Sequence, residues 1–343
     1  MGLVFRVCGV FAIIVVVVAV LFREHLSRLH RVASLFNEDK IVFNFKTADT
    51  WGMPFRTMKR GNAVSPISAN ENRQLPKTFK AGGKDFPVET WLEKHGSTGL
   101  AVLKIAKDGK SARLLHETYW HNHSRNTRCI SWSVGKSVVS AAVGVAVDKK
   151  LINLEHTVDR YLPQLGTTGY QGVRIKDVLQ MVRALKKFFF GDVFLIIQSS
   201  GIAFDEDYFS PFSDINMMGY WLALGLNMDD FVARLKRNLE PGKFNHYLSM
   251  DTQVLGMLVA AASNQTLSSF IEEHIWSKVG FEHDALFLLD NDRAQRELAF
   301  GTILSTTIDF ARFGWLITKK ITCVFGIHSS FFLKAVSQQR KVF

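Results

Sequence analysis

The chain has 343 residues, 47% of them hydrophobic, and 42 Lys and Arg against 31 Asp and Glu give a formal net charge of +11. This length and hydrophobicity can bury a large core, so disorder, collagen-like repeats and a small disulfide scaffold are excluded. Residues 1–31, 182–198 and 317–343 carry net charges of +3, +2 and +5, which leaves +1 for the rest. Because nucleic-acid binders concentrate Lys and Arg on a folded face, we expect no nucleic-acid partner.

The amino-terminal segment is dominated by an uninterrupted apolar run over residues 7–22, behind Arg6. This run is long for a signal-peptide core and slightly short for a membrane-spanning helix. Charged residues follow Phe22 directly, without a small-residue cleavage pattern. Residues 1–31 are therefore predicted to form an uncleaved signal-anchor or transmembrane segment, with a cleaved signal peptide as the alternative. We expect a membrane-anchored protein with a lumenal or extracellular body, or a secreted one if the segment is cleaved.

The body of the chain is predicted to be α+β. Residues 32–98, rich in Pro and in short apolar clusters, are expected to be an extended lead-in, with regular structure beginning near Gly99. Residues 100–106 and 113–120 flank Asp108-Gly109 and predict a β-hairpin. Helices are predicted, the first of them buried, over residues 133–150, 173–181, 228–239, 251–262, 267–279 and 308–317, the last capped by Thr306 or Thr307. The hairpin is expected to lie against the first helix, and residues 155–240 to form a helical part beside it.

The first buried helix opens with Ser133-Val-Gly-Lys136, whose spacing places both functional groups on one helical face. A serine hydroxyl needs a base to become a nucleophile, and burial would lower the pKa of Lys136 toward neutrality. The first-turn amides also favour negative charge near Ser133. Taken alone, the four residues are better explained by a capped helix with a solvated lysine.

A second element, Tyr247-Leu-Ser249, follows the Pro241-Gly242 turn and precedes a predicted helix. From this position Tyr247 is able to project into the cleft that holds Ser133. We expect the two hydroxyl groups to lie within hydrogen-bond reach. A half-buried aromatic residue with Ser249 as an ordinary helix cap is the alternative reading of this element.

Together the two elements and their order resemble the serine β-lactamase and penicillin-binding-protein superfamily, in its class-C-like branch, which includes esterases and 6-aminohexanoate-dimer hydrolases. The similarity covers roughly residues 75–317 and includes residues 130–137, 158–163, 175–181, 199–202, 251–256 and 309–314. It implies an antiparallel sheet flanked by helices, with Ser133 as the acylated nucleophile and Lys136 as the residue that activates it. Tyr247 would be the general base that also serves the leaving group. Ser249 stands where many relatives have Asn, and would bind substrate or hold Lys136.

The chain departs from this pattern in two places. Residues 182–198 separate the predicted helix from Ser199-Ser-Gly201 and read as an insertion or a retained intron, with a lipid-touching hairpin as the alternative. Residues 318–343 form an atypical tail without a Lys-Thr-Gly or His-x-Gly triplet. In the family, the strand that carries this triplet supplies an oxyanion-hole amide, so the sheet is expected to be truncated and activity reduced.

Other chemistries are disfavoured by residue spacing. Gly135-Lys136-Ser137 is not a phosphate-binding loop, because Ile130 stands where the first glycine belongs. His116, His121 and His123 are read as a solvated strand end, and Asp205-Glu206-Asp207 as a surface loop. The three cysteines, Cys8, Cys129 and Cys323, form no paired motif. We expect no metal and no cofactor.

Two classes of function remain after these exclusions. The first is a serine hydrolase that cleaves a small-molecule amide or ester through an acyl-enzyme on Ser133. The second is a membrane-anchored, catalytically impaired pseudoenzyme or structural protein of the same fold. Labelling of Ser133 by a fluorophosphonate or a β-lactam would separate them, because only an activated serine reacts.

Overall fold

The computed structural model describes residues 22–179, 199–243 and 246–317, together with Val17 and Val20. The predictions made for the apolar run, for residues 182–198 and for residues 318–343 lie outside these residues, apart from those two valines and Phe22. The α-helices are α1 Arg23–Ala33, α2 Ile41–Lys46, α3 Val88–Lys94, α4 Val134–Asp148, α5 Val158–Tyr161, α6 Ile175–Leu179, α7 Asp214–Ala223, α8 Met228–Ala233, α9 Ser249–Ser263, α10 Leu267–Ile271, α11 Ser277–Val279 and α12 Thr307–Leu316. The strands are β1 Phe55–Met58, β2 Thr78–Ala81, β3 Lys84–Pro87, β4 Gly99–Ile105, β5 Ala112–Tyr119, β6 Arg128–Ile130, β7 Ala285–Leu288 and β8 Ile303–Thr306.

A four-stranded antiparallel sheet in the order β1-β7-β8-β6 is the centre of the described fold. Every residue of β7 and β8 is buried, as expected for the two inner strands of a sheet that is covered on both faces. In the register, Leu286 pairs with Leu304, and Ile130 of β6 also pairs with Leu304 from the other side. This pairing places the end of β6 in the middle of the molecule, where α4 begins.

The predicted β-hairpin is confirmed, and it forms a separate two-stranded sheet of β4 and β5. Gly109 has a φ of +73° in the connecting turn, and the Asp108 carboxylate accepts a hydrogen bond from the Lys110 amide. The hairpin packs on α12, with the Trp315 indole donating a hydrogen bond to the Gly109 carbonyl. The expectation that this hairpin lies against the Ser133 helix is therefore wrong, because α12 provides the apolar face that covers it.

The expectation of an extended lead-in over residues 32–98 is also wrong. This region contains α2 and a short 3-10 helix, Ala48–Thr50, before Pro54. Strand β1 follows, forms one edge of the central sheet and buries Met58 completely. The sequence does not predict β1, because four residues are too few to show a clear alternation of apolar and polar side chains, and a proline-rich segment follows. Regular structure therefore begins well before Gly99.

Two long helices, α4 and α9, form the core beside the sheet and contact each other along their length. Most residues of both helices are buried, which confirms the prediction that the Ser133 helix is apolar around most of its circumference. The predicted helix over residues 267–279 is observed as α10, a π-helical stretch Glu272–Trp276 and α11. The predicted helix over residues 228–239 is shorter and ends at Ala233. Mixed helices and antiparallel strands confirm the α+β class.

Among the residues that the structure describes, no single helix has the length and apolar composition of a membrane span. Helix α9 and the segment Leu267–Val279 have them only when taken together, and the two are bent by 79° relative to each other.

The chain leaves α6 and returns at Ser199 at almost the same point. The Ser199 amide donates a hydrogen bond to the Asp177 carbonyl at 3.1 Å, and the Ser199 hydroxyl donates to the same oxygen at 3.1 Å. The two ends of the intervening sequence are therefore held together by the folded part of the protein.

Candidate active site

Ser133 lies at the junction between β6 and α4, on a tightly held turn. Trp132 has a φ of +43°, a left-handed conformation that is unusual for a bulky residue and marks a constrained backbone. The Ser131 amide donates to the Ile303 carbonyl at 2.7 Å, which ties the turn to β8. Gly301 sits against the turn so closely that a Cβ there would lie 2.6 Å from the Trp132 carbonyl oxygen. The constrained turn holds the Ser133 side chain at a fixed point.

The Ser133 hydroxyl is hydrogen-bonded to the Tyr247 hydroxyl at 2.6 Å. Tyr247 lies two residues before the start of α9, and the residue between them, Leu248, is the extended amino-terminal cap of that helix. Burial raises the pKa of the Tyr247 phenol. The hydrogen bond to Ser133 lowers this pKa, and the negative charge of Glu206 raises it further. The phenol is therefore protonated at neutral pH and shares a short hydrogen bond with the serine.

Lys136 lies one helical turn after Ser133 and is only 3% exposed. Its ammonium donates hydrogen bonds to the Ser249 hydroxyl at 3.1 Å and to the Phe300 carbonyl, and it lies 5.3 Å from the centre of the Tyr247 ring. Burial lowers the pKa of Lys136 to about 8, against the opposing charge of Glu206. Lys136 can thus exchange a proton near neutral pH, which an exposed lysine cannot do.

The structure brings Ser133, Lys136, Tyr247 and Ser249 into one cluster and adds Glu206, which the sequence analysis missed. The Glu206 carboxylate accepts hydrogen bonds from the Ser249 amide and, at 3.2 Å, from the Tyr208 hydroxyl. Its neighbours Asp205 and Asp207 are exposed, as a surface loop predicts, whereas Glu206 turns inward. No sequence pattern separates the three acids, because the loop path alone decides which one faces the cleft.

The backbone amide of Ser133 makes no hydrogen bond to any residue that the structure describes. It lies at the start of α4, where the helix dipole favours negative charge. An unpaired amide beside a serine hydroxyl is suited to bind the oxyanion of a tetrahedral intermediate. The Ser133 amide is thus available to an anion that forms beside the Ser133 hydroxyl.

The histidines that were considered as metal ligands make local contacts instead. His116 bonds through Nδ1 to the Arg73 carbonyl, and His123 bonds through Nδ1 to the His121 carbonyl. Across residues 22–179, 199–243 and 246–317, no three His, Cys, Asp or Glu side chains form a group that could hold a metal ion.

Comparison with known proteins places this arrangement in a family. The Beta-lactamase family model matches residues 75–325. The 6-aminohexanoate-dimer hydrolase of Paenarthrobacter ureafaciens is 24% identical over 234 residues, which is 66% of this chain and 53% of that protein. The chain thus spans about half the length of that curated relative.

One solved structure supports the fold, and a second is reported for comparison only. A candidate 6-aminohexanoate-dimer hydrolase from Bacillus anthracis superposes with a TM-score of 0.64 at 17% identity, over 82% of this chain and 70% of that one. D-alanine carboxypeptidase AmpC from Burkholderia cenocepacia gives a TM-score of 0.48 at 13% identity, over 71% and 66% of the two chains. The fold is β-lactamase/transpeptidase-like. The chain belongs to the Beta-lactamase family, as the sequence resemblance implied.

Proposed function

We propose that this protein is a serine hydrolase that cleaves a small-molecule amide or ester through an acyl-enzyme on Ser133. The observation that carries the proposal is the 2.6 Å hydrogen bond between the Ser133 and Tyr247 hydroxyls, beside a buried lysine whose pKa is about 8. Nucleophile, proton acceptor and buried amine are the parts that acyl transfer requires. The 6-aminohexanoate-dimer hydrolase relative is consistent with an amide substrate.

In the proposed mechanism, the Ser133 oxygen attacks the substrate carbonyl carbon and gives its proton to the Tyr247–Lys136 pair. This pair can accept the proton when it carries only one of its own, either as neutral Lys136 beside the Tyr247 phenol or as the Lys136 ammonium beside the Tyr247 phenolate. The Ser133 amide stabilises the oxyanion that forms. The pair then returns the proton to the leaving amine or alcohol, and water attacks the acyl-enzyme in the same way to release Ser133.

The test is labelling of the full chain with a fluorophosphonate probe, followed by mass spectrometry of the labelled peptide. Labelling at Ser133 is expected, together with its loss in Ser133→Ala and a decrease of at least tenfold in Lys136→Ala and Tyr247→Phe. Ser140→Ala, one turn beyond Lys136 on the same helix, is the matched control and should label like the wild type. A folded wild-type protein that does not label at Ser133 would instead support the catalytically impaired alternative.

A further inference from the structure

A pocket opens beside Ser133 and Lys136, between α1, α7 and the central sheet. Its apolar lining includes Val32, Trp51, Trp132, Met218, Leu222 and Phe300. Helix α1 packs on α7 and supplies one wall. A lining of aromatic and aliphatic side chains next to a nucleophile is suited to hold the apolar part of a substrate.

The charged residues of this pocket all have the same sign. Arg28 and Arg31 of α1 line it together with Lys136, and the lining contains neither Asp nor Glu. Among the described residues, no carboxylate forms an ion pair with either arginine. The pocket is therefore lined by two arginines without an acidic partner from the described part of the chain.

The hydrogen bonding of the two arginines is also incomplete. Arg28 donates through Nη2 to the Gly52 carbonyl, but its Nε is buried without an acceptor. The Arg31 side chain makes no hydrogen bond to a described residue. A partly buried guanidinium without an acceptor is costly, and a carboxylate satisfies it best because the two groups match in a planar, bidentate geometry.

We propose that this pocket selects substrates whose acyl group is an apolar chain ending in a carboxylate, with the chain against the apolar lining and the carboxylate on Arg28 and Arg31. This inference rests on the proposed hydrolase function and names its substrate class. The two arginines precede residues 75–325, the part that matches the family model, so this selectivity belongs to the amino-terminal part of the chain.

The experiment compares mono-p-nitrophenyl esters of linear dicarboxylic acids, from four to ten carbons, with the same esters whose free acid is capped as a methyl ester. We expect kcat/KM to be at least tenfold higher for the free acids at the best chain length. The double variant Arg28→Gln/Arg31→Gln should lose this preference, mainly through a higher KM for the free acids, so that the ratio of kcat/KM for free and capped esters falls to about one. Arg23→Gln, an exposed arginine of the same helix outside the pocket, is the matched control and should keep the preference.

Three outcomes separate this inference from the proposed function. Equal rates on free and capped esters, or a preference that survives in the double variant, would overturn the inference while Ser133 chemistry stands. Hydrolysis that persists in Ser133→Ala would instead overturn the proposed function. If no ester is turned over, the binding of sebacic acid monomethyl ester is measured by calorimetry instead. Ser133→Ala should bind this ester at least tenfold more tightly than the triple variant Ser133→Ala/Arg28→Gln/Arg31→Gln. Equal binding by the two variants would overturn the inference.

Discussion

The surroundings of Lys136 bring its pKa close to neutral pH, which suits it to proton transfer. Burial favours the neutral amine, whereas the Glu206 carboxylate favours the ammonium, and the balance gives a pKa of about 8. If the neutral amine is the active form, about a tenth of the molecules are competent at pH 7 and about nine-tenths at pH 9. The buried pair thus ties the reaction rate directly to pH.

The first prediction concerns this pH dependence. The rate of Ser133 labelling should rise about tenfold between pH 7 and pH 9 in the wild type. In Glu206→Gln the rising limb should move to lower pH, because removing the negative charge removes the effect that raises the pKa of Lys136. Labelling rates measured with a neutral fluorophosphonate across this range check both expectations.

Tyr208→Phe provides the control for Glu206→Gln. It removes the hydrogen bond between the Tyr208 hydroxyl and the Glu206 carboxylate but leaves the charge in place. Its pH profile should therefore overlay that of the wild type. A limb that stays fixed in Glu206→Gln, or that moves equally in Tyr208→Phe, would show that charge at Glu206 does not set the ionisation of Lys136.

At the scale of secondary structure, the contact between the residues leading into β8 and the turn before α4 determines where Ser133 sits. Gly301 and Trp132 approach so closely that any side chain at 301 must displace backbone atoms. The turn cannot relax easily, because Ser131 is hydrogen-bonded to the carbonyl of Ile303 and, through its hydroxyl, to that of Gly301.

The second prediction follows from this contact. Gly301→Ala should lower the free energy of unfolding by about 1–3 kcal/mol, as overpacking in a tight core does, and should reduce Ser133 labelling at least tenfold. Gly314→Ala, in α12, is the control, since a Cβ there meets nothing within 4 Å. Gly314→Ala should leave labelling unchanged and be neutral or stabilising by up to about 1 kcal/mol. Denaturant unfolding and probe labelling measure both effects, and normal labelling in Gly301→Ala would contradict the account.

Elements that carry their own local signal were predictable from the sequence. Asp108-Gly109 predicts the hairpin, and long apolar runs predict α4 and α9. The inner strands β7 and β8 were not predicted, because four buried residues without alternation do not distinguish a strand from a helix. Ser133, Lys136 and Tyr247 were predicted from two short motifs and the family that they resemble, whereas Glu206 and the arginines of α1 reach the site only through tertiary packing.

At the scale of the whole molecule, the position of Ser199 next to α6 bears on whether the fold requires residues 182–198. If residues 182–198 were removed, Ser199 would become the fifth residue after Asp177, and its amide would still donate a hydrogen bond to the Asp177 carbonyl. Such a bond is the one that closes a helix in the Schellman motif. The folded part of the protein therefore already contains the geometry of a direct connection from α6 to Ser199.

The third prediction is that deleting residues 182–198 preserves the fold and the site. The deleted protein should unfold cooperatively with a stability at least equal to that of the full chain, and Ser133 should label at least as fast. Solubility should increase, because the deletion removes an apolar, Phe-rich stretch. Thermal melting, sedimentation and probe labelling of the two proteins test this. A deletion variant that fails to fold would show that the segment is an integral part of the structure.

Helix α1 places the residues of the proposed selectivity before all residues of the proposed chemistry in the chain. It lines the pocket, yet the next segment to join the central sheet is β1, which starts at Phe55. A chain that starts between these two elements would lack Arg28 and Arg31 but would keep the sheet, Ser133, Lys136 and Tyr247. Under the proposed selectivity, the shorter chain would lose the preference for acyl groups that end in a carboxylate and keep the proposed chemistry.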